Sequence, residues 1–515
     1  MLPARDDYRG LATSWRGDVL AGFTVGVVAL PLALAFGISA GLGAEAGLVT
    51  AIVAGLAAAV FGGSRVQVSG PTGAMTVVLV PIVHQLGPQA VLVVGMMAGL
   101  LLLAASVAGF GRALAYIPWP VIEGFTVGIA AIIFLQQVPA ALGVARPEGE
   151  NTAAVAFRAV VDAAGGLALA PIALTALVAG VMVLLPRLHR ALPASLIAVV
   201  VATVVAHVGD LDAARIGDLP GSLPAPSLPS LPGGIGGLGG LTGAALAVAL
   251  LGGLESLLSA KVADGMTDGP RHDPDRELFG QGIANLLSPL FGGMPATGAI
   301  ARTAVNVRAG ARTRLSAITH ALVLVAVVFL GGDLVAAIPL AALAGVLMVT
   351  AVRMVEPHNV GAVLRATRSD AAVLVLTAAA TVAFDLIVAI ELGLVVAALL
   401  ALRAVAQAST AVGEALPAGT VEVDADTTAG LLAERIVAYR LDGALFFGAA
   451  QRFLTDLTVQ LLGAVRSEWV LARNRARHAD GGYASVEVEL WDPSSWTLAA
   501  YATETLILGL EHPPR

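Results

Sequence analysis

The sequence predicts an all-α polytopic membrane protein of fourteen segments, arranged as two halves of seven with opposite topology. Three observations predict it. Of the 515 residues, 57 % are hydrophobic and 13 % charged, and the mean hydropathy is +0.87, values of a chain that sits in lipid. The apolar runs fall into two sets of seven on either side of a Pro/Gly-rich stretch, and the third run of each set is too short to cross a bilayer. The positive charges gather in alternate loops, the pattern that orients membrane helices.

In chain order, residues 1–18 are a polar segment expected on the cytoplasmic side. The first repeat, 19–208, carries apolar runs at 19–41, 46–61, 71–84, 90–108, 117–138, 168–186 and 193–208. Its first run is too long for the core of a cleaved signal and reads as a spanning helix. Residues 209–240 hold many Pro and Gly and no run able to span, so an exposed extracellular linker is expected. The second repeat, 241–405, carries runs at 242–262, 278–291, 297–308, 313–331, 336–352, 370–384 and 386–404. An odd number of crossings per half makes the second half enter from the opposite side, as in inverted-repeat transporters. With a cytoplasmic N-terminus, Arg65, Arg112, Arg187, Arg276, Arg312, Arg314 and Arg353 fall among the cytoplasmic charges, and Arg146, Arg158 and Arg215 fall outside. Residues 406–515 then form a cytoplasmic C-terminal region of a multi-pass protein in the inner (plasma) membrane.

Composition also excludes chemistry. There is no cysteine, which removes disulfides, thiolate metal sites and thiol catalysis. No metal constellation, phosphate-binding loop, dinucleotide Gly motif or nucleophile elbow is present. Neither an enzyme, nor a bound cofactor, nor a nucleic-acid partner is expected; the partners are the lipid bilayer and a small solute. Energy for transport must come from ion or substrate gradients.

The two short runs, 71–84 and 297–308, fall below the about 20 helical residues a bilayer asks for. Short, Gly/Pro-interrupted segments at matching places in two halves point to a transport site. They read Ser69-Gly70-Pro71-Thr72-Gly73-Ala74 and Met294-Pro295-Ala296-Thr297-Gly298-Ala299. Half-helices starting there would turn their free N–H groups and positive dipole ends toward one another, a gap that attracts anions. Arg302 falls in the first turn of the second half-helix. A guanidinium this deep costs about 2.5–3.5 kcal/mol on insertion scales and needs a partner, a wet cavity or a role. The alternative is a side chain snorkelling from a helix end, although Arg308 and Arg312 already sit nearer that end.

Glu255 is the second candidate, embedded in Gly252-Gly253-Leu254-Glu255-Ser256-Leu257. Desolvation favours the neutral form of a carboxylate, so one held here can bind and release a proton near neutral pH. It could equally ligate Na⁺ or pair with Arg302. H⁺ is the expected coupling ion and Na⁺ the alternative. Glu123, after Pro118-Trp119-Pro120, reads as a helix-entrance cap, Gln136 and Gln137 as groups that satisfy helix ends, and Asp385 as a turn residue. His84, His207 and His320 are isolated and are expected to be structural.

These residues resemble the SulP anion transporters. The most specific stretch runs from LESLLSAK at 254–261 to GGMPATGAIARTAVNVRAGARTR at 292–314, with support from Ala21-Gly22-Phe23-Thr24-Val25-Gly26, Gly62-Gly63-Ser64-Arg65 and Val121-Ile122-Glu123-Gly124-Phe125-Thr126. The resemblance implies a core domain, segments 1–4 and 8–11, that moves like an elevator against a gate domain, with half-helices three and ten enclosing the substrate and the assembly a homodimer. It carries substrate contact to Thr72, Gly73 and Ala74 on one side and to Gly298, Ala299, Ile300, Ala301 and Arg302 on the other, coupling to Glu255, and an aromatic near substrate to Phe36. Many sulfate-transporting relatives have Gln after the proline of segment one, where this chain has Leu32; that less polar pocket counts against sulfate without removing it, and leaves room for bicarbonate or a small dicarboxylate such as fumarate. The family's usual C-terminal STAS domain, a small α/β module, is matched by 435–457 alone, so an incomplete or diverged STAS-like region is expected, with a basic run at Arg466, Arg473, Arg475 and Arg477 and a strand at 485–490. Three functions stay open: an H⁺-coupled secondary anion carrier, an uncoupled channel or voltage-responsive relative, and a nucleobase permease, which Arg302 disfavours because a neutral base needs no cation.

Overall fold

The computed structural model describes residues 3, 7, 10–114, 118–149, 151–166, 168–189, 192–217, 222–230, 238–267 and 269–383, together with 395–396, 399–400 and six strands between 410 and 507. The first half runs α1 (Leu11–Ser39), α2 (Gly43–Phe61), β1 (Ser69–Gly70), α3 (Gly73–Leu86), α4 (Pro88–Val107), α5 (Gly111–Leu114), α6 (Trp119–Gln136), α7 (Val138–Leu142), α8 (Thr152–Ala164), α9 (Leu169–Leu188) and α10 (Ala194–Val208). The second runs α11 (Leu238–Met266), α12 (Pro274–Leu290), β2 (Thr297–Gly298), α13 (Ile300–Arg308), α14 (Leu315–Leu330), α15 (Gly332–Ala336), α16 (Leu340–Met354), α17 (Pro357–Ala366) and α18 (Arg368–Ala383). Among the described residues, seven helical stretches are long and apolar enough to cross a membrane, and α3, α10 and α14 are shorter apolar helices. The run expected at 386–404 lies almost wholly outside the described residues.

The apolar runs and the helices agree within a few residues, and the differences have physical causes. α8 and α17 alternate buried and exposed positions at helical spacing, with Val155, Ala156, Ala159 and Ala163 buried in α8; a search for unbroken apolar runs passes over such amphipathic helices. α1 starts at Leu11, inside the stretch read as a separate polar segment, and buries Asp18 completely. Asp18 accepts hydrogen bonds from the Arg312 and Thr313 amides at 2.7 and 2.9 Å and from the Thr313 and Ser14 hydroxyls at 2.8 and 2.7 Å, so its charge is spent on the turn after α13. The 209–240 linker is also pinned: Ile216 N donates to Ile338 O at 3.0 Å, Leu340 N to Ala214 O at 2.8 Å and Ser227 N to Leu290 O at 2.7 Å.

Packing sorts the helices into two groups, each drawn from both halves. α1, α2 and α4 pack with α11, α12 and α14 around β1, β2 and the two short helices that follow them, while α6 and α9 pack on α16, with α18 on α6 and α10 on α9. Small residues make the closest approach in the first group. Gly37 of α1 and Gly47 of α2 face each other so tightly that a side-chain carbon on Gly47 would overlap the Ala33 carbonyl and lie 3.0 Å from Gly37 N, the small-residue contact by which membrane helices associate. Gly180 in α9 has nothing within 4 Å of the same position. Gly47→Ala is therefore expected to destabilise by the about 1–3 kcal/mol of overpacking, whereas Gly180→Ala gains helix propensity of about 1 kcal/mol at most. Thermal melts of the two variants in detergent check this, and equal melting temperatures would refute it.

Residues 395–515 form a second compact unit. β3 (Thr410–Glu414), β4 (Val437–Asp442), β5 (Leu457–Leu461), β6 (Trp469–Asp480), β7 (Tyr483–Asp492) and β8 (Thr497–Ile507) pair antiparallel in the order β3-β4-β6-β7-β8-β5. β4 lies within the 435–457 stretch and β7 contains the strand expected at 485–490; the helix expected after β4 lies outside the described residues. Three arginines of the basic run fall on β6, where the register sets Arg473 opposite Glu489 and Arg475 opposite Glu487.

Candidate functional site

The two interrupted segments meet. β1 pairs antiparallel with β2, Ser69 opposite Gly298 and Gly70 opposite Thr297, and Ala299 N donates to Val68 O at 2.9 Å. α3 and α13 start immediately beyond this two-stranded link. Each strand uses few residues because the following Pro71-Thr72 and Ala299 must turn the chain into a helix; Thr72 caps α3, its Oγ1 accepting from Met75 N at 3.4 Å. No side chain caps α13, which leaves its first-turn N–H groups for solvent or a ligand. The strand link between the halves thus runs through 68–70 and 297–299, immediately ahead of the two short helices expected to face one another.

Glu255 joins the two starts. Its Oε2 accepts from Thr72 Oγ1 at 2.8 Å and from Thr297 Oγ1 at 2.7 Å, and the two hydroxyls lie 3.1 Å apart. One carboxylate oxygen on α11 therefore reads the positions of α3's cap and of β2 together. The next residues on that face extend the seam: Ser256 Oγ accepts from Gly298 N at 2.9 Å, and Ser259 Oγ shares a 3.0 Å hydrogen bond with Thr303 Oγ1, which accepts from Val68 N at 3.1 Å. The i, i+1, i+4 spacing of Glu255, Ser256 and Ser259 keeps all three near one side of the helix.

Arg302 is buried, 2 % exposed, and its Nη2 donates to Pro71 O. Its Nη1 is buried without a hydrogen-bond partner. A side-chain carbon on Gly70 would lie 2.8 Å from that nitrogen, so glycine there makes room for the guanidinium. The snorkelling alternative is excluded by this geometry: the side chain crosses to the other half's strand. Arg302 and Glu255 are within electrostatic reach of one another, but their hydrogen bonds go to different partners. The ring edge of Phe36 and Ile133 cover Gly73 at the start of α3. Gly73, Ala74, Gly298 and Ala299 are buried, whereas Ile300 and Ala301 at the start of α13 are exposed. Leu32 is buried at 7 % exposure.

The remaining polar candidates separate. Gln137 donates to Ser39 Oγ at 2.9 Å, tying helix ends as expected, whereas Glu123 is buried on α6, whose start has no side-chain cap. His84 and His207 are exposed, and Asp385 lies outside the described residues. Arg314, one of the charges assigned to the cytoplasmic side, is not a solvated loop residue: it is 1 % exposed and donates to Ala59 O at 3.0 Å, Ser64 O at 3.2 Å and Gly62 O at 2.7 Å. A cation at the end of α2 satisfies carbonyls the helix leaves open.

Sequence reasoning missed a polar scaffold behind the site. Glu277 of α12 accepts from Gly63 N at 2.8 Å, Ser64 N at 3.0 Å, Gln67 Nε2 at 2.9 Å and Gln281 Nε2 at 2.9 Å, and Gln281 also reaches Ser69 Oγ at 2.8 Å. Reciprocally, Thr50 of α2 accepts from Met294 N at 2.7 Å, and Asn285 bonds both backbone groups of Ala296. The first half's approach to the site is held by α12 of the second half, whereas the second half's approach is held by α12 itself together with Thr50 of α2. The only sequence signal was polar residues spaced i, i+4 and i, i+8 along 277–285, which alone cannot name partners some 210 residues away.

With this geometry in view, comparison with known proteins is specific. The model of the Sulfate permease family matches residues 15–377. The Bacillus subtilis (strain 168) protein YvdB is 36 % identical over 509 residues, covering 97 % of this chain and 92 % of the relative. The bicarbonate transporter BicA of Picosynechococcus sp. is 32 % identical over 466 residues, 85 % of this chain and 79 % of the relative. The solved transmembrane domain of a cyanobacterial BicA superposes with a TM-score of 0.67 at 34 % identity over 74 % of this chain and 98 % of that domain. Match and fold together cover the span from α1 to α18, and the chain belongs to the sulfate permease family.

Proposed function

We propose that this protein is a multi-pass secondary carrier of a small oxyanion, bicarbonate ahead of sulfate, which moves by elevator-type alternating access and takes up H⁺ at Glu255. The observation that carries it is the unpartnered, buried Nη1 of Arg302 between two half-helix starts: a fixed positive charge and first-turn N–H groups of α13 in one place suit an anion. Buried Leu32 in place of a polar group favours the more weakly hydrated monoanion over sulfate, and a bicarbonate-transporting relative supports the same choice. The packing of α1–α4 with α11–α14 supports a core that travels as a body against α6, α9, α10, α16 and α18, within an inverted seven-plus-seven repeat, a homodimer and cytoplasmic termini.

Coupling follows from the shared oxygen. Ionised Glu255 accepts from both Thr72 and Thr297; a proton added to that oxygen competes with their hydroxyls and loosens the link between α3 and β2. The test is uptake into proteoliposomes of bicarbonate, sulfate, chloride and fumarate under clamped pH and Na⁺ gradients. Saturable bicarbonate uptake driven by a pH gradient is expected, with sulfate poorly carried. Failure to carry any of the four, or anion currents beyond carrier turnover, would overturn the assignment.

A further inference from the structure

His320 is the isolated histidine for which neither sequence nor transport reading has a use. It is fully buried on α14, and both ring nitrogens are without a hydrogen-bond partner. Leaving such groups unsatisfied in an apolar interior is unfavourable, so a partner is expected. Its surroundings are built from small residues. A side-chain carbon on Gly55 would lie 3.2 Å from Ser69 O and 3.8 and 3.9 Å from His320 Cε1 and Nδ1. The unpartnered Nη1 of Arg302 occupies the adjoining position on the same groove: a carbon on Gly70 would lie 2.8 Å from it and 3.3 Å from Ala51 Cα. Ala51 and Gly55 are one turn apart on α2, and Ser69 and Gly70 are consecutive on β1. The imidazole and the guanidinium thus lie along the same α2–β1 contact, beside glycines of its two elements, within electrostatic reach of each other.

We propose that a buried water bridges Arg302 Nη1 and a ring nitrogen of His320, making His320 the residue that positions Arg302 for its anion. The chemistry is complementary: Nη1 is a donor without an acceptor, a neutral imidazole supplies one acceptor nitrogen, and a water joins them with the two to four polar contacts that buried waters make. Pro71 O holds Nη2 from one side and the water holds one of the two N–H groups of Nη1 from the other, which leaves the second N–H for the anion and fixes the planar guanidinium at both ends. A cation free to swing in a cavity binds an anion less well than one held in place.

The inference rests on Arg302 attracting the anion, and its two tests separate the two readings. A high-resolution map of the unmodified protein, which involves no transport, is expected to show a solvent peak within about 3.2 Å of both Arg302 Nη1 and a His320 nitrogen; a map without a shared peak overturns the proposal even if Arg302 binds anion. In uptake assays with whichever anion of the four is carried, His320→Leu is expected to raise KM about five- to tenfold with little change in the maximal rate per folded carrier, while His320→Gln, which keeps a donor and an acceptor, stays within about twofold of the parent. An unchanged KM in His320→Leu, or equal losses in both variants, sinks the positioning role. If His320→Leu fails to fold, the map and His320→Gln decide.

Discussion

Arg302→Ala raises the KM for the carried anion by about tenfold or more, the loss expected when a charge-assisted hydrogen bond in a buried site disappears. The residue is 2 % exposed, holds Pro71 O across the interface of the two halves, and has a nitrogen without a protein partner. Removing it deletes the one cation of the link and leaves Pro71 O without its donor. Arg302→Lys separates the two effects, because an ammonium keeps the charge but lacks the planar fork that spans Pro71 O and a second acceptor. Its KM should fall between parent and alanine. Initial rates in proteoliposomes across a range of anion concentrations measure both variants, and an unchanged KM for every carried anion in Arg302→Ala would remove the anion site from this place.

Glu255→Gln abolishes the dependence of uptake on a pH gradient while preserving the folded protein. Glutamine retains a carbonyl oxygen that can accept from Thr72 and Thr297, so the hydrogen-bonded seam that Glu255 closes at 2.8 and 2.7 Å survives. What is lost is the ability to exchange a proton. The ratio of uptake with and without an imposed pH gradient should drop to about one, with anion exchange at equal pH continuing. A ratio that keeps its parental value rules out Glu255 as the coupling group. Loss of a Na⁺-gradient dependence in its place would assign Na⁺ as the coupled ion, which the same carboxylate can hold.

Both predictions concern residues legible in the sequence, because each breaks a strong rule of its surroundings. A carboxylate or guanidinium within an apolar run stands out whatever its partners are, and two short runs at matching places stand out by length. His320, Glu277, Asp18 and Arg314 were not legible in the same way. A histidine in an apolar helix or a charge near a helix end has an ordinary explanation, and its special role appears only when its neighbours are known. Glu277 sits in a polar stretch at the start of α12 and becomes structural through Gly63 and Ser64, 213 residues away for the latter. Arg314 reads as one more positive loop charge until Ala59, Gly62 and Ser64 present their carbonyls to it.

The sequence by itself determined that the chain is a membrane protein, where its apolar helices lie, that two of them are broken at matching points, and that Glu255 and Arg302 stand in apolar runs. These follow from length, hydropathy and glycine/proline placement, which act locally along the chain. Tertiary structure alone decided that the broken segments pair as β1 and β2, that one oxygen of Glu255 joins Thr72 to Thr297, and that His320 lies beside Arg302. The physical reason is that a buried polar group must find a partner, and at this link the partners are far apart in the chain, several of them in the opposite half.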